Sequence, residues 1–267
     1  MKYLEKDEKF PVKDVIAIDL ECENQLHHYG CFISLIQAST ETEDYVIDVL
    51  SEKNPKTILE ILEDEKIQKV FHDVDFDFRI LDEQFSCKPK NIFDTKLAAE
   101  LLGKEKIGLS SLLKDYFNLK KQSRFQMADW TKRPISKEML EYAVNDTAHL
   151  LKLKNIFEKE LKEKQLWQEA LKRFKEIENK DFKLKKQNYT DIKGFRYLEK
   201  KEKEQLENLF KFRDFWARKL DRPPHFIMSN KKMIEFVKNP PEWKNVKGVH
   251  PIVRKRSFEL EKIFNRF

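Results

Sequence analysis

Five short apolar runs, set apart by turns and helical patterns, constrain the fold of this chain more than any other feature. Val15-Ile16-Ala17-Ile18, Cys31 to Ala38 after the Gly30 break, Tyr45 to Val49, Gln68 to His72 and Ile92 to Thr95 all have strand length and strand composition. Between and after them run helical patterns: Ile58, Ile61 and Leu62 beyond Pro55, then Phe76 to Leu81, Lys96 to Leu102, and Leu109 to Phe117. Strand and helix alternate in this way in an α/β or α+β sheet domain. Ser136 is placed to cap one long amphipathic helix carrying Leu140, Tyr142, Ala143, Asp146, Leu150 and Leu153. The chain stays helical and highly charged to about Glu178, and residues 179–195 then lose periodicity, as a linker does. Residues 196–267 carry apolar positions at helical spacing (Leu206, Leu209, Phe212, Phe215, Trp216), a Pro223-Pro224 break and two or three further helices. The expected organisation is a mixed-sheet domain over 1–178, a linker over 179–195 and a small all-α domain over 196–267.

Counting excludes several functions. The five glycines never approach the spacing of a dinucleotide-binding turn or a P-loop. The three cysteines (Cys22, Cys31, Cys87) are odd in number and form no C-x-x-C, so reduced thiols are expected. The first residues lack an apolar signal core, and no run approaches 18 apolar residues, which points to a cytoplasmic protein with no membrane association. The net charge of +6 hides an asymmetry: residues 1–150 hold 21 basic and 29 acidic residues, a balance of −8, and residues 151–267 hold 32 and 18, a balance of +14. An acidic portion suits cations, and a basic one suits polyanions such as nucleic-acid backbones.

Three carboxylate groups fall at the ends of predicted elements. Asp19 and Glu21 follow the first strand and, alternating with Leu20, project from one face. Paired oxygens of this kind suit a hard divalent cation. His72-Asp73-Val74-Asp75-Phe76-Asp77 leaves a strand and enters a helix, and the pattern does not distinguish which aspartate turns inward. Tyr142 and Asp146, four apart, stack on the helix face that Leu150 continues. That face is expected to be buried, and a buried carboxylate needs a partner such as a metal.

Ile18-Asp19-Leu20-Glu21, Phe71-His72-x4-Asp77, Phe93-Asp94-Thr95, Gln126-x-Ala128-Asp129-Trp130-x2-Arg133-Pro134 and Tyr142-Ala143-x2-Asp146, in that order over most of residues 10–160, resemble the ribonuclease D family. Its members are 3′→5′ exonucleases of the four-carboxylate class whose last motif carries tyrosine. The resemblance implies a ribonuclease H-like fold, makes Asp19, Glu21, Asp77 and Asp146 the metal ligands, and selects Asp77 over Asp73 and Asp75. It implies two divalent cations, Mg²⁺ or Mn²⁺, roughly 3.5–4 Å apart. Asp19 is assigned to bridge them, Glu21 and Asp146 to complete the nucleophile-side ion, and Asp77 to support the other. Tyr142 is assigned to aim the attacking water, because phenols in model compounds titrate near 10 and are poor bases at neutral pH, and Glu21 also to hold the terminal 3′-hydroxyl. Leu209-x6-Trp216-Ala217-Arg218-x2-Asp221-x-Pro223-Pro224 resembles the helicase-and-RNase-D C-terminal (HRDC) module. One departure stands out: Ser123 occupies a position where the family often has lysine, with Arg124 beside it.

The implied partner is single-stranded RNA at its 3′ end, with precursor transfer RNA the family's substrate, and the chain is expected to act as a monomer. Leu20, His72, Arg124, Gln126, Trp130 and Arg133 are the candidate RNA contacts of the first domain. Lys211, Arg213, Arg218 and Lys219 are those of the second, where they are expected to be exposed around a core of Phe212, Phe215 and Trp216. Cys31 heads an apolar strand without a paired base and reads as a core thiol, and His27-His28 as a surface loop. Two other functions compete: a DNA 3′→5′ exonuclease of the same chemistry, separable only through the 2′-hydroxyl, and a non-catalytic RNA-binding module, disfavoured because all four carboxylates and the tyrosine are present.

Overall fold

A computed structural model describes residues 1–119 and 124–265; Ser123 lies outside them. The chain divides into two compact units, one of residues 1–22 and 32–184, the other of residues 23–31 and 185–267. The division at 184 falls within the stretch 179–195.

The first unit is built on a six-stranded mixed sheet. In chain order the strands are β1 (Lys2–Leu4), β2 (Val15–Asn24), β3 (Cys31–Ser39), β4 (Asp44–Asp48), β5 (Gln68–Phe71) and β6 (Ile92–Asp94), and in space they lie β1-β4-β3-β2-β5-β6. Strand β3 runs antiparallel to β4, whereas β2, β5 and β6 are mutually parallel. Ile16, Ala17, Ile18, Val70, Phe71 and Phe93 of those parallel strands are fully buried, as continuous apolar runs covered on both faces must be. Helices α1 (Lys56–Glu63), α2 (Asp75–Phe85), α3 (Thr95–Leu101), α4 (Leu109–Phe117), α5 (Lys137–Thr147), α6 (Leu150–Glu163) and α7 (Trp167–Glu178) complete the unit.

Where one long helix is expected after Ser136, two are found. Ser136 caps α5 by accepting from the Met139 amide, but the helix stops at Thr147. The buried Thr147 hydroxyl donates to the Val144 carbonyl and faces Ser39 Oγ of β3 at 2.7 Å. A hydroxyl bonding back along its own helix disturbs the ladder, and here a partner 108 residues away holds it in place.

In the second unit α8 (Lys200–Lys219) starts at a capping box formed by Glu199 and Glu202. Four helices follow, α9 (Pro224–Ile227), α10 (Asn230–Lys238), α11 (Pro251–Lys255) and α12 (Ser257–Asn265), around Leu206, Leu209, Trp216, Met233, Phe236, Trp243 and Leu260. Two expectations fail here. Phe215 is 56% exposed, one position off the stripe that buries Phe212 and Trp216. Arg213, expected on the surface, is buried on the inward face of α8, where its guanidinium donates to the Met228 carbonyl and Asn230 Oδ1. Desolvation lowers its pKa to about 10. Within the same unit Asp221 accepts from the Tyr29 amide and pairs with His28, and the Tyr29 hydroxyl donates to Asp214.

Candidate active site

Parallel pairing brings the carboxyl ends of β5 and β6 beside the middle of β2. Ala17 lies opposite Val70, Val70 opposite Phe93, and Phe71 opposite Asp94. Continuing that register puts Asp19 level with His72 and one residue beyond Asp94. The carboxyl ends of parallel strands are where open α/β sheets hold their ligands.

Asp19 and Glu21 of β2, both half-buried, meet the buried Asp146 of α5: one carboxylate oxygen from each lies within 4.8 Å of the others. Helix α5 is placed by its Ser136 cap, by the Ser39–Thr147 hydroxyl pair and by packing of Tyr142, Ala143 and Val144 on Leu35 and Val46. Asp77, in the first turn of α2, is buried at 9% exposure. It is not within that span of all three carboxylates. Burial, followed by the charges of Asp19, Asp94 and Asp73, raises its pKa well above the ordinary carboxylate range. Carboxylates crowded in this way call for a cation.

The neighbouring aspartates of the second cluster face elsewhere. Asp73 pairs with Lys96 at 2.6 Å, and Asp75 pairs with Arg79 at 2.7 Å and Lys180 at 2.8 Å. The turn that sends Asp77 inward is fixed by the buried Asp94, which accepts from the amides of Asp73 and Val74 and, as the cap of α3, from those of Lys96 and Leu97. Burial raises the Asp94 pKa even against these four bonds. The one sequence signal of this scaffolding role is an aspartate set between a strand and a helix, where it can cap. His72 Nδ1 lies 2.9 Å from Thr95 Oγ1, which itself donates to the Phe71 carbonyl, so the imidazole is the donor between them.

Tyr142 is buried with its ring edge-on to Phe125 at 5.6 Å and tilted against Trp130 at 6.0 Å. The other candidate contacts divide by environment. Arg124 and Gln126 are exposed, the Arg124 guanidinium lying 4.4 Å over the Phe125 ring, and Leu20 is buried. Trp130, at 3% exposure, belongs to the core beside α5. Arg133 forms a two-pronged pair with the buried Asp48, both contacts at 2.6 Å, and so faces the protein and not a backbone phosphate. Lys211 pairs with Glu207, Arg218 donates to the Tyr29 hydroxyl, and Lys219 lies over the Phe215 and Trp216 rings; all three are exposed.

Fold and site together define an enzyme class that gathers carboxylates at the carboxyl edge of parallel strands to bind divalent cations. The chain belongs to the 3′-5′ exonuclease family, whose model matches residues 2–162. That family is metal-dependent. Exosome complex component 10 of Homo sapiens is 33% identical over 278 residues, covering 96% of this chain, and this chain spans 31% of that relative's length. Among solved structures, the catalytic core of RRP6 from Trypanosoma brucei superposes with a TM-score of 0.84 at 25% identity, over 95% of this chain and 74% of that one. Escherichia coli RNase D shares the fold, with a TM-score of 0.74 at 21% identity over 95% and 69% of the two chains. Brucella melitensis NrnC with bound Mg²⁺ matches 66% of this chain and 89% of its own, at 25% identity and a TM-score of 0.58. The all-oxygen donor set of Asp19, Glu21 and Asp146 fits such a hard cation.

Proposed function

We propose that the chain is a 3′→5′ exoribonuclease that trims single-stranded RNA ends one nucleotide at a time, releasing nucleoside 5′-monophosphates with the help of two divalent cations, Mg²⁺ or Mn²⁺. The observation that carries this reading is the convergence of Asp19, Glu21 and Asp146 at the carboxyl edge of the sheet, with Asp77 buried nearby and Tyr142 one helical turn from Asp146. Bound cations supply an acidified water and a counter-charge for the leaving alkoxide. Asp19, Glu21, Asp77 and Asp146 hold them. Tyr142, its ring confined by Phe125 and Trp130, orients the attacking water through its hydroxyl. Glu21 takes the terminal 3′-hydroxyl, which restricts attack to the last linkage.

The ribonuclease H-like unit of this proposal spans residues 1–178, less the excursion 23–31 that groups with the helical unit, and is joined through 179–195 to an HRDC-like, nucleic-acid-binding helical unit over 196–267. Exposed Lys211, Arg218 and Lys219 there, and Arg124, Gln126 and His72 at the nuclease unit, are its RNA contacts. The resemblance of the motifs over residues 10–160 to ribonuclease D favours RNA over DNA and implies precursor transfer RNA as the substrate class, and the protein acts as a cytoplasmic monomer. No described helix is long and apolar enough to cross a membrane.

Incubation with 5′-labelled single-stranded RNA and DNA of one sequence tests this reading. The expected result in Mg²⁺ is a ladder of RNA products shortened stepwise from the 3′ end, abolished by chelator and blocked by a 3′-phosphate. Internal cleavage, or activity that survives chelation, contradicts it; DNA shortened faster than RNA contradicts the substrate.

A further inference from the structure

Arg133 uses every donor it has within the protein. Its Nε and one Nη bind the two oxygens of Asp48, and that second nitrogen also meets the Ser34 carbonyl and hydroxyl at 3.4 and 3.3 Å. Its other Nη donates to the carbonyls of Trp130 and Lys132 at 2.8 and 3.0 Å. Five N–H groups therefore meet acceptors in a planar fork that only a guanidinium supplies. Asp48 is fully buried and is itself gripped by the Tyr3 hydroxyl, the Ser51 hydroxyl and the amides of Leu50 and Ser51. The Trp130 carbonyl is held a second time, by Ser34 Oγ at 2.5 Å. The backbone held at this point carries the indole that is one of the two rings confining Tyr142.

We infer that Arg133 is a positioning residue for the reaction: by tying Trp130 to Asp48 and Ser34 it fixes the wall against which the Tyr142 phenol is aimed. This rests on the exonuclease reading above. A phenol that directs a water is sensitive to small displacements, since misplacement by about 1 Å costs on the order of 100-fold in rate. Lysine at 133 keeps the charge but cannot bridge Asp48, Ser34 and Trp130 together.

The test compares steady-state kinetics of the wild-type chain, R133K, Y142F and the double variant on single-stranded RNA, with Mg²⁺ binding followed by calorimetry. R133K is expected to lower kcat about tenfold while KM and Mg²⁺ affinity stay within about twofold, and in the Y142F background it is expected to cost less than about twofold more, because both changes disable one function. If R133K melts below the assay temperature, W130L takes its place and is expected to show the same dependence on Tyr142. A raised KM with kcat unchanged makes Arg133 a phosphate contact and overturns the proposal, as do multiplicative losses in the double variant or a Y142F rate equal to wild type. An active wild type slowed by Y142F but not by R133K removes this proposal alone. A wild-type chain that leaves RNA intact removes the nuclease reading and this proposal with it.

Discussion

Lys69 sits in β5 with no exposed surface, its ammonium donating to the Asp64 carbonyl. Burial lowers its pKa to about 8, against the attraction of Asp64, Glu178, Cys87 and Glu65. Below that value the lysine is charged in both states and folding bears the full desolvation cost. Between about 8 and 10.5 the folded chain has released the proton and the unfolded chain has not, so this lysine makes stability rise with pH. Lys69→Met is therefore expected to stabilise the chain at pH 7, by on the order of 1 kcal/mol, with the advantage shrinking as melting curves are taken through pH 8 to 10. An effect of the opposite sign means that the bond to Asp64 outweighs desolvation. Lysine flanked by glutamine and valine gives no sequence signal of burial, and neither does Arg213, whose partners Met228 and Asn230 are 15 and 17 residues away. Asp77 was separable from Asp73 and Asp75 only through a family resemblance; the physical difference is that Lys96, Arg79 and Lys180 engage the other two, and lysines 23 and 105 residues away are invisible to local pattern.

The elements that position the site differ in how far their sequence declares them. The apolar runs of β3, β4, β5 and β6 mark strands within one or two residues of those observed, whereas β2 continues six residues past its apolar run, through Asp19 and Glu21 to Asn24, where polar residues hide the strand. Strand β1, three residues long, exists through its pairing with β4, and no local pattern reveals it. Helix α5 shows both cases. Ser136 announces its start, whereas its end depends on Thr147 meeting Ser39 across the sheet. Replacing Ser136 with alanine removes the bond to the Met139 amide and is expected to cost about 1 kcal/mol by chemical denaturation. Ser136→Asp, which restores an accepting oxygen at the cap, is expected to recover most of that loss, and equal loss in both variants contradicts the capping account.

At the scale of the molecule, the split of charge along the chain proves more informative than its sum. The acidic portion includes the place where burial, followed by the charges of Asp19, Asp94 and Asp73, shifts the Asp77 pKa upward. Chain order does not foretell that residues 23–31 group with the helical unit, since a boundary drawn along a sequence has no way to express an excursion out of one unit and back. The ordered carboxylates were legible because their spacing survives in sequence, while the network of Asp48, Arg133 and Trp130 was not, since it joins the 130–133 segment to an aspartate 85 residues away. The central claim is that the carboxylate cluster is the metal centre of an exonuclease. Its most direct test is the rate at which Asp146→Asn, a replacement of equal shape, shortens 5′-labelled RNA in saturating Mg²⁺. The account predicts a loss of at least about 100-fold relative to wild type, with the metal-free melting temperature unchanged or raised; a rate within about twofold of wild type contradicts it.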